Sequence, residues 1–268
     1  MVTVETTRHP FIIVVPYRDR LAHLQTFVPH MERFLDGHEF TLIIVEQGDE
    51  KPFNRGALLN AGFLLARNRP AFVAFHDVDM LPLDESCDYR RPPAVCHLAG
   101  AAEQFEYRLP YANYLGGVLI TTVVAFETIN GFSNGYWGWD GEDDDLFMRF
   151  WLAGVPIQRL SGKYRSLPHP RAAPADANYV RHDRILNRAV LPLKGDGPVH
   201  PWIFHRNDPG TICVARPSAH LMSQNDGLSS LPYRLMRRLS LPEYCGFSED
   251  VQAHHEFVTI ELLDNPEP

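Results

Sequence analysis

The chain has 268 residues, of which 45% are hydrophobic and 22% charged. This composition is typical of a globular protein with one sizeable core. The formal net charge is −8, without a long basic run, which argues against nucleic acid as a partner. No apolar run reaches the roughly 18 residues of a membrane-spanning helix, and residues 1–10 are too polar for a signal peptide. We therefore expect a soluble, cytoplasmic protein with no membrane span.

The first part of the chain alternates between two kinds of apolar pattern. Short apolar runs predict buried strands, and apolar residues at helical spacing predict helices. The strands are expected at 11–15, 40–45 and 71–75, and the helices at 20–35, despite Pro29, and at 54–67. This alternation predicts an α/β fold with a parallel sheet, in which ligands bind beyond the carboxyl ends of the strands.

The later part of the chain is less regular. Its apolar runs predict strands at 116–124 and 251–263, and helical spacing predicts a helix at 142–152. Residues of about 170–225 are rich in Pro, Gly, Asn, Asp and His, which predicts a loop. No repeat or clear linker divides the chain, so a single domain over residues 1–268 is expected.

The four cysteines are Cys87, Cys96, Cys213 and Cys245. They form no CxxC pair and have no zinc-ligand spacing. Reduced thiols are therefore favoured over a disulfide between Cys87 and Cys96.

Two carboxylates follow the third predicted strand. Asp77 and Asp79 lie one residue apart, directly after the run FVAFH. Such a pair can hold a hard divalent cation together with the ribose or phosphates of a nucleotide, and the cation would neutralise a leaving diphosphate. A DxD pair also occurs in solvated turns and helix caps, but its place at a strand end favours a ligand site.

Residues 137–145 read WGWDGEDDD and combine two tryptophans with four consecutive acids. An acidic first turn stabilises a helix by about 0.3–1 kcal/mol per residue, which accounts for one or two acids but not for four that repel one another. Indole faces pack on pyranose rings, and carboxylates accept hydroxyl hydrogen bonds. The segment therefore predicts a sugar site, and one of its carboxylates can remove the proton of an acceptor hydroxyl.

Arginines stand at two further element ends. The sequence PYRDR (16–20) follows the first strand, and FNR (53–55) begins the second helix. Their guanidinium groups are suited to a diphosphate, and the aromatic residue to a uracil ring. Either motif alone is also consistent with ordinary surface arginines.

Taken together, these motifs resemble the β1,4-galactosyltransferase family, including its proteoglycan-linkage branch that galactosylates xylose. The resemblance runs from about residue 12 to residue 263 and keeps the order and spacing of the motifs. It is carried by VPYRDR (15–20), EQGDEKPFNRGALLNAGF (46–63), FHDVDMLP (75–82), LPYANYLGGV (109–118), TINGFSNGYWGWDGEDDDLFMR (128–149), GKYRSLPH (162–169) and DGLSSLPY (226–233).

The resemblance implies a GT-A-type nucleotide-sugar-binding fold, with a mixed, mostly parallel sheet flanked by helices. It implies an inverting enzyme that transfers galactose from UDP-galactose to a sugar hydroxyl, with Mn²⁺ as cofactor and a β1,4 linkage expected. The partners are then a UDP-sugar donor and a glycan or glycoside acceptor. The alternatives are a related UDP-hexose or UDP-N-acetylgalactosamine transferase and a non-catalytic sugar-binding module. A glycosidase with two carboxylates would have no use for a nucleotide site.

Residue roles carry over from the family motif by motif. Asp143 matches the catalytic base, and Tyr114 matches the position that helps to separate galactose from N-acetylgalactosamine. Asp79 and His169 match metal ligands. The remaining donor contacts are expected at Pro16, Arg18, Arg20, Phe53, Arg55 and Asp77, and the acceptor or sugar contacts at Gly117, Trp139, Glu142 and Asp144.

Four features depart from the family pattern. Asp140 stands where a glycine is usual. The metal-binding segment usually offers two ligands, but here only His169 matches, so that Ser166, His182, His205 or water could complete the shell. A loop insertion at about 187–224 is longer than the family's, and no membrane anchor like that of the animal Golgi enzymes is found. A bacterial or otherwise cytoplasmic relative is therefore expected.

Overall fold

The computed structural model describes residues 11–66, 71–90, 92–139, 141–170, 189–192, 203–205, 211–214, 226–247, 251–252 and 254–264. The helices are α1 (Leu21–Phe34), α2 (Arg55–Ala66), α3 (Val123–Thr128), α4 (Glu142–Leu152) and α5 (Leu241–Cys245). The strands are β1 (Phe11–Tyr17), β2 (Phe40–Gln47), β3 (Phe72–His76), β4 (Met80–Pro82), β5 (Val95–His97), β6 (Ala101–Ala102), β7 (Val118–Thr122), β8 (Ile157–Arg159), β9 (Lys163–Ser166), β10 (Ala189–Pro192), β11 (Ile203–His205), β12 (Thr211–Val214), β13 (Tyr233–Ser240) and β14 (Glu256–Leu262).

Eight strands form the main sheet, in the order β13-β14-β2-β1-β3-β7-β5-β8. Strand β1 pairs in parallel with β2 and β3, and β2 pairs in parallel with β14. Strand β7 runs antiparallel to both β3 and β5. The expected mixed, mostly parallel sheet flanked by helices is confirmed.

The core lies on both faces of this sheet. Successive side chains of a strand point to opposite faces, so Ile12 and Val14 pack in the layer that contains α2 and α4. Ile13 and Val15 pack in the other layer, which contains α1. Because both faces of β1 are covered, its sequence is continuously apolar rather than alternating.

Helix α2 is more deeply buried than its sequence pattern predicts. Helical spacing puts Ala57, Leu58, Ala61, Leu64 and Leu65 on one apolar face, but nine of the twelve residues are buried, on all sides of the helix. A helix that is hydrophobic all round belongs in a core. This burial fixes Arg55, the first residue of α2, at the edge of the sheet.

The topology brings several loops to one edge of the sheet. Strands β1 and β3 are parallel, so Arg18 and Asp77 both follow their carboxyl ends. Strand β7 is antiparallel to β3, with His76 opposite Val118, so the residues before β7 reach the same edge. Gly117 accepts a hydrogen bond of 3.0 Å from the Asp77 amide there.

The structure corrects the expected loop at about 170–225. Strands β10, β12 and β11 form a three-stranded antiparallel sheet inside this region, so the insertion is not simply a loop in those stretches. The runs AVLP, IFH and TICV are rich in β-branched and aromatic residues, which favour strands even between Pro- and Gly-rich stretches. The other residues of the insertion lie outside the described residues.

Two further differences concern strands. The strand predicted at 116–124 ends at Thr122, because the Thr122 side chain caps helix α3 by accepting a hydrogen bond from the Ala125 amide. Strand β13 was not predicted at all. It is an edge strand with five exposed residues in a row, so it lacks the buried alternation that marks a strand in sequence.

Cys87, Cys96 and Cys245 are free, so the alternative of a Cys87–Cys96 disulfide is wrong. Burial raises the pKa of the Cys96 thiol to about 11. Within the described ranges, no helix is both long enough and apolar enough to cross a bilayer.

Substitution of Gly62 tests how closely α2 packs on the sheet. A Cβ atom on Gly62 would lie 2.2 Å from Val14 Cγ1 and 2.9 Å from Val45 Cγ2. Gly62→Ala should therefore lower the free energy of unfolding by about 1–3 kcal/mol, measured by urea denaturation. Adding Val14→Ala should recover part of the loss caused by the clash. A Gly62→Ala variant as stable as the wild type would contradict this packing.

Candidate active site

Arg55 stands at the centre of a cluster of carboxylates. Its Nε donates to Asp77 Oδ1 over 2.7 Å, and its Nη1 donates to Asp143 Oδ1 over 2.9 Å. Glu142 Oε1 lies 3.6 Å from the same Nη1. The guanidinium lies over the ring of Phe132, 5.9 Å from its centroid. One largely buried cation thus joins the DVD segment after β3 to the acidic start of α4.

Burial sets the electrostatics of this cluster. Although burial opposes the charged form, the neighbouring Asp143, Asp77 and Glu142 raise the pKa of Arg55 well above its usual value. Burial and the nearby Asp143 charge raise the pKa of Glu142 to about 8. Two acids that touch one guanidinium compete for it, so Glu142 holds a proton far more readily than an ordinary glutamate.

The four consecutive acids at the start of α4 have three different environments. Glu142 and Asp143 face Arg55. Asp144 accepts a hydrogen bond of 3.0 Å from the Tyr111 hydroxyl. Asp145 points into the core, fully buried, where it pairs with the Arg149 side chain. The first three are therefore available to a ligand, whereas Asp145 has a structural role.

The tryptophan-glycine segment before α4 is held by its backbone. The Gly138 amide donates to the Phe53 carbonyl oxygen over 2.7 Å. Gly141 has a φ of 102°, and a Cβ atom there would lie 2.7 Å from the ring of Tyr136. Only glycine suits that position. Trp139 is 42% exposed beside these acids, as a sugar-stacking surface requires.

Tyr114 and Asp143 meet at Gly116. A Cβ atom on Gly116 would lie 2.4 Å from the Tyr114 hydroxyl and 2.6 Å from Asp143 Oδ2. Glycine at this position therefore allows the hydroxyl and the carboxylate to share one small space. Burial, followed by the Asp143 charge, raises the pKa of Tyr114 well above its usual value, so its hydroxyl stays neutral.

Asp79 and His169 converge as the expected metal ligands. Asp79 Oδ2 lies 2.8 Å from His169 Nε2, and Arg20 Nη1 lies 3.6 Å from the same oxygen. The Leu167 amide donates to the Asp79 carbonyl oxygen over 2.7 Å and holds the two segments together. Burial and the nearby Asp77 charge raise the pKa of Asp79, while His169 and Arg20 oppose this rise.

The residues present fit a divalent cation. A carboxylate and an imidazole form a mixed oxygen and nitrogen donor set that suits Mn²⁺. In the described part of the chain no group of three or more His, Cys, Asp or Glu residues is arranged to hold a metal ion, so further ligands would come from substrate oxygens, water or residues outside the described ranges. The Ser166 hydroxyl is already an acceptor for the Gln104 amide, at 3.3 Å. His182 lies outside the described residues, and the position of the His205 side chain is likewise outside them.

The expected uridine contacts lie at the connection between β2 and α2. Arg18 donates to the carbonyl oxygens of Lys51 and Asp49, at 2.7 and 3.0 Å. Its guanidinium lies 5.9 Å from the centroid of the Phe53 ring. Pro16 pairs with Val45 inside the sheet. Arg18 and Phe53 are thus adjacent and fixed by the connection between β2 and α2.

The structure therefore brings most of the predicted site residues together. Arg55, Asp77, Glu142, Asp143 and Tyr114 form one cluster, and Arg20, Asp79 and His169 form a second one beside it. Tyr111 and Gly116 were not among the site residues predicted from the sequence. Both lie in the motif LPYANYLGGV, three residues before Tyr114 and two after it, which is the only signal that pointed to them.

Comparisons with known proteins found similarity over the part of the chain that carries this site. Residues 5–92 match a family model described as the N-terminal region of glycosyl transferase group 7, and residues 96–170 match one described as the N-terminal domain of galactosyltransferase. β-1,4-Galactosyltransferase 2 of Cricetulus griseus is 39% identical over 194 residues, 69% of this chain and 52% of that protein. β-1,4-Galactosyltransferase 7 of Mus musculus is 40% identical over 239 residues, 87% of this chain and 64% of that protein. The chain spans about half the length of the curated relatives it matches first.

Solved structures extend the similarity over the whole fold. The catalytic domain of Drosophila β1,4-galactosyltransferase 7 in complex with xylobiose has a TM-score of 0.70 and 26% identity, covering 96% of this chain and 95% of that one. A mutant of the same Drosophila enzyme, in complex with manganese, UDP-Gal and xylobiose, has a TM-score of 0.67 and 27% identity over the same shares.

Fold and site together define a glycosyltransferase of the GT-A type. Within that class, the chain belongs to the β-1,4-galactosyltransferase family.

The raised pKa of Glu142 predicts how stability depends on pH. An acid whose pKa is higher in the folded state contributes stability below its unfolded pKa and loses that contribution as pH rises through the folded value. With a folded pKa of about 8, the loss should fall between about pH 4.5 and about pH 8. The side chain in Glu142→Gln cannot ionise. The free energy of unfolding of this variant, relative to that of the wild type, should therefore be higher at pH 8.5 than at pH 5. Urea denaturation at both pH values tests this, and an equal difference at both would contradict it.

Proposed function

We propose that the protein is an inverting, Mn²⁺-dependent galactosyltransferase that transfers galactose from UDP-galactose to a sugar hydroxyl in a β1,4 linkage. One observation carries the proposal. Arg55 joins Asp77 of the DVD segment to Asp143 at the start of α4, through hydrogen bonds of 2.7 and 2.9 Å. In this proposal a single guanidinium group links the residues of the nucleotide side to those of the sugar side, so donor and acceptor would be held close together.

Different residues of the chain have different roles in this reaction. Arg18 and Phe53 would hold the uridine, while Arg20 and Arg55 would balance the charge of the diphosphate as it leaves. Asp79 and His169 would hold the Mn²⁺ ion, which supplies Lewis-acid stabilisation of that diphosphate when it is bound. The Drosophila relative, whose complex contains manganese and UDP-Gal, supports this assignment.

The transfer is a single displacement at the anomeric carbon. Asp143 takes the proton of the acceptor hydroxyl while the oxygen forms a bond to C1 of galactose. The bond from C1 to the phosphate oxygen breaks on the opposite face, and its electron pair leaves with UDP. The anomeric configuration is inverted.

The acceptor side is open and aromatic. Tyr111 and Trp139 are 39% and 42% exposed, and Asp144 is tied to the Tyr111 hydroxyl. Exposed aromatic rings beside carboxylates suit a pyranose ring. Both Drosophila structures contain xylobiose, so acceptors that end in xylose are the first to test, together with N-acetylglucosamine and simple glycosides.

A cytoplasmic location stays a prediction of this proposal. The free thiols of the buried Cys87 and Cys96 support it, because reduced cysteines are typical of a reducing compartment.

Replacement of Asp143 tests the assigned base. Asp143→Asn keeps the shape of the side chain but cannot take a proton, so turnover should fall by about 100- to 10,000-fold. UDP affinity in the presence of Mn²⁺, measured by calorimetry, should change little. Asp144→Asn is the matched control in the same helix, and it should mainly raise the acceptor KM. An Asp143→Asn variant with near wild-type turnover would rule out this residue as the base.

Replacement of Asp79 tests the metal site. Asp79→Asn should greatly weaken Mn²⁺ binding, followed by electron paramagnetic resonance, and remove the dependence of UDP binding on the metal. Asp84→Asn is the matched control, since Asp84 is an exposed carboxylate on the same stretch that bonds to Ser86. Activity should also disappear in excess chelator. Unchanged Mn²⁺ binding by Asp79→Asn would place the metal elsewhere.

Replacement of Tyr114 tests the choice of donor. The Tyr114 hydroxyl lies against Gly116 and beside Asp143, where it would crowd a 2-acetamido group. Tyr114→Leu should raise transfer from UDP-N-acetylgalactosamine relative to UDP-galactose, measured as the ratio of the two kcat/KM values. If the ratio does not change, Tyr114 has no part in donor choice.

A further inference from the structure

The segment that carries Tyr114 lies outside helices and strands. Residues 111–117 connect the region around the short strand β6 to β7, and within the segment the Tyr114 amide donates to the Tyr111 carbonyl oxygen at 3.1 Å. The position of the Tyr114 ring therefore depends on side chains from other elements. Phe105 and Asp144 contact the side chains of Tyr114 and Tyr111, whereas two further side chains bond to the backbone of the segment, His97 at the end of β5 and Arg159 at the end of β8.

Hydrogen bonds from this pair hold two carbonyl groups of the segment. Arg159 Nη1 lies 2.5 Å from the Tyr114 carbonyl oxygen and 3.0 Å from His97 Nδ1. His97 Nε2 lies 2.9 Å from the Gly116 carbonyl oxygen. Because a guanidinium only donates, His97 Nδ1 is the acceptor and Nε2 carries the proton that Gly116 accepts. The donor and the acceptor of each of these three hydrogen bonds are therefore known.

The histidine also contacts Tyr114 directly. The two rings meet edge to face, with centroids 5.8 Å apart. His97 is fully buried, and burial lowers its pKa to about 4, so it is neutral and keeps the tautomer that the bonds require. The pair thus contacts both the backbone and the ring of Tyr114, and the rings of Phe105 and Tyr111 also meet that ring edge to face.

Arg159 is unfavourable as a purely structural residue. Among the described residues it forms no ion pair with a carboxylate, and its buried Nη2 has no hydrogen-bond partner. Burial lowers the pKa of the Arg159 guanidinium. A partly buried cation without a counter-charge destabilises a fold unless its position serves another purpose.

We propose that His97 and Arg159 are positioning residues that hold the Tyr114 hydroxyl beside Asp143 and thereby set the choice between galactose and N-acetylgalactosamine donors. This inference rests on the proposed function. If either residue is removed, the segment 114–116 can relax away from Asp143, and the space beside the 2-position of the donor sugar widens.

The test compares two donors in variants of the pair. In Arg159→Met and His97→Phe, the ratio of kcat/KM for UDP-galactose over UDP-N-acetylgalactosamine should fall about tenfold, the factor that corresponds to one hydrogen bond from a charged group. Hydrolysis of the donor without an acceptor gives this ratio, whatever the acceptor is. Arg159→Lys and His97→Gln keep a donor to the segment and should keep most of the discrimination.

His255→Gln is the matched control. His255 is another fully buried histidine, and its Nδ1 accepts a hydrogen bond from the Leu42 amide far from this segment. It should lower stability without changing the donor ratio. If the donor ratio falls as much in His255→Gln as in Arg159→Met and His97→Phe, the fall is a general effect of destabilisation, and the proposal is overturned.

A double-mutant cycle asks whether the pair acts through Tyr114. In the Tyr114→Leu background, Arg159→Met should cause no further change in the donor ratio. A further change as large as that in the wild-type background would overturn the proposal, as would a wild-type ratio in both Arg159→Met and His97→Phe.

A measurement without turnover separates this proposal from the proposed function. Protein labelled with ¹³C at tyrosine Cζ gives a Tyr114 resonance that Tyr114→Phe identifies. This resonance should shift in donor-free Arg159→Met and much less in Arg159→Lys. If the wild type transfers neither sugar, the proposed function fails, but the shift still decides whether the pair positions Tyr114. An unchanged resonance in Arg159→Met and His97→Phe would overturn the positioning role.

Discussion

The burial of the Arg55 guanidinium among three carboxyl groups is the interaction on which the site depends. A buried cation destabilises a fold unless hydrogen bonds and counter-charges compensate it, and Asp77, Asp143 and Glu142 supply both to Arg55. Arg55 is in turn fixed by α2, a helix buried on all sides. Loss of the guanidinium would leave adjacent carboxyl groups to repel one another. The Arg55 side chain therefore contributes both to the stability of the fold and to the geometry of the site.

The same arrangement explains why the adjacent acidic residues at the start of α4 have different properties. Asp145 forms an ion pair with Arg149 inside the core, whereas Asp144 lies outside the core and accepts a hydrogen bond from the Tyr111 hydroxyl. Glu142, which shares a guanidinium with Asp143, has its pKa raised to about 8, mainly by burial. Position on the first turn of α4 decides which acid faces the sheet edge and which faces the core, because neighbouring residues on a helix point about 100° apart.

Much of this could be predicted from sequence, and the reasons are local. Asp77 and Asp79 follow a continuous apolar run, so their place at a strand end was predictable. The acids of α4 were recognisable because four in succession have no ordinary structural use. Other features depend on distant contacts. Nothing near Arg159 marks it, since its partners Tyr114 and His97 are 45 and 62 residues away. Strand β13 was missed because its side chains face water, and the roles of the individual site residues stay predictions.

The position of β14 has a consequence for how the chain folds. This strand is inserted between β13 and β2, and it pairs in parallel with residues 43–47. His255, just before it, bonds to the Leu42 amide across 213 residues of sequence. Pairings of such long range must close a large loop before they stabilise anything, which makes folding slow. During synthesis, β1, β2 and β3 emerge long before β14, and the edge of β2 stays open to other strands until then. A nascent chain should therefore be most prone to aggregation in that interval, and most in need of a chaperone.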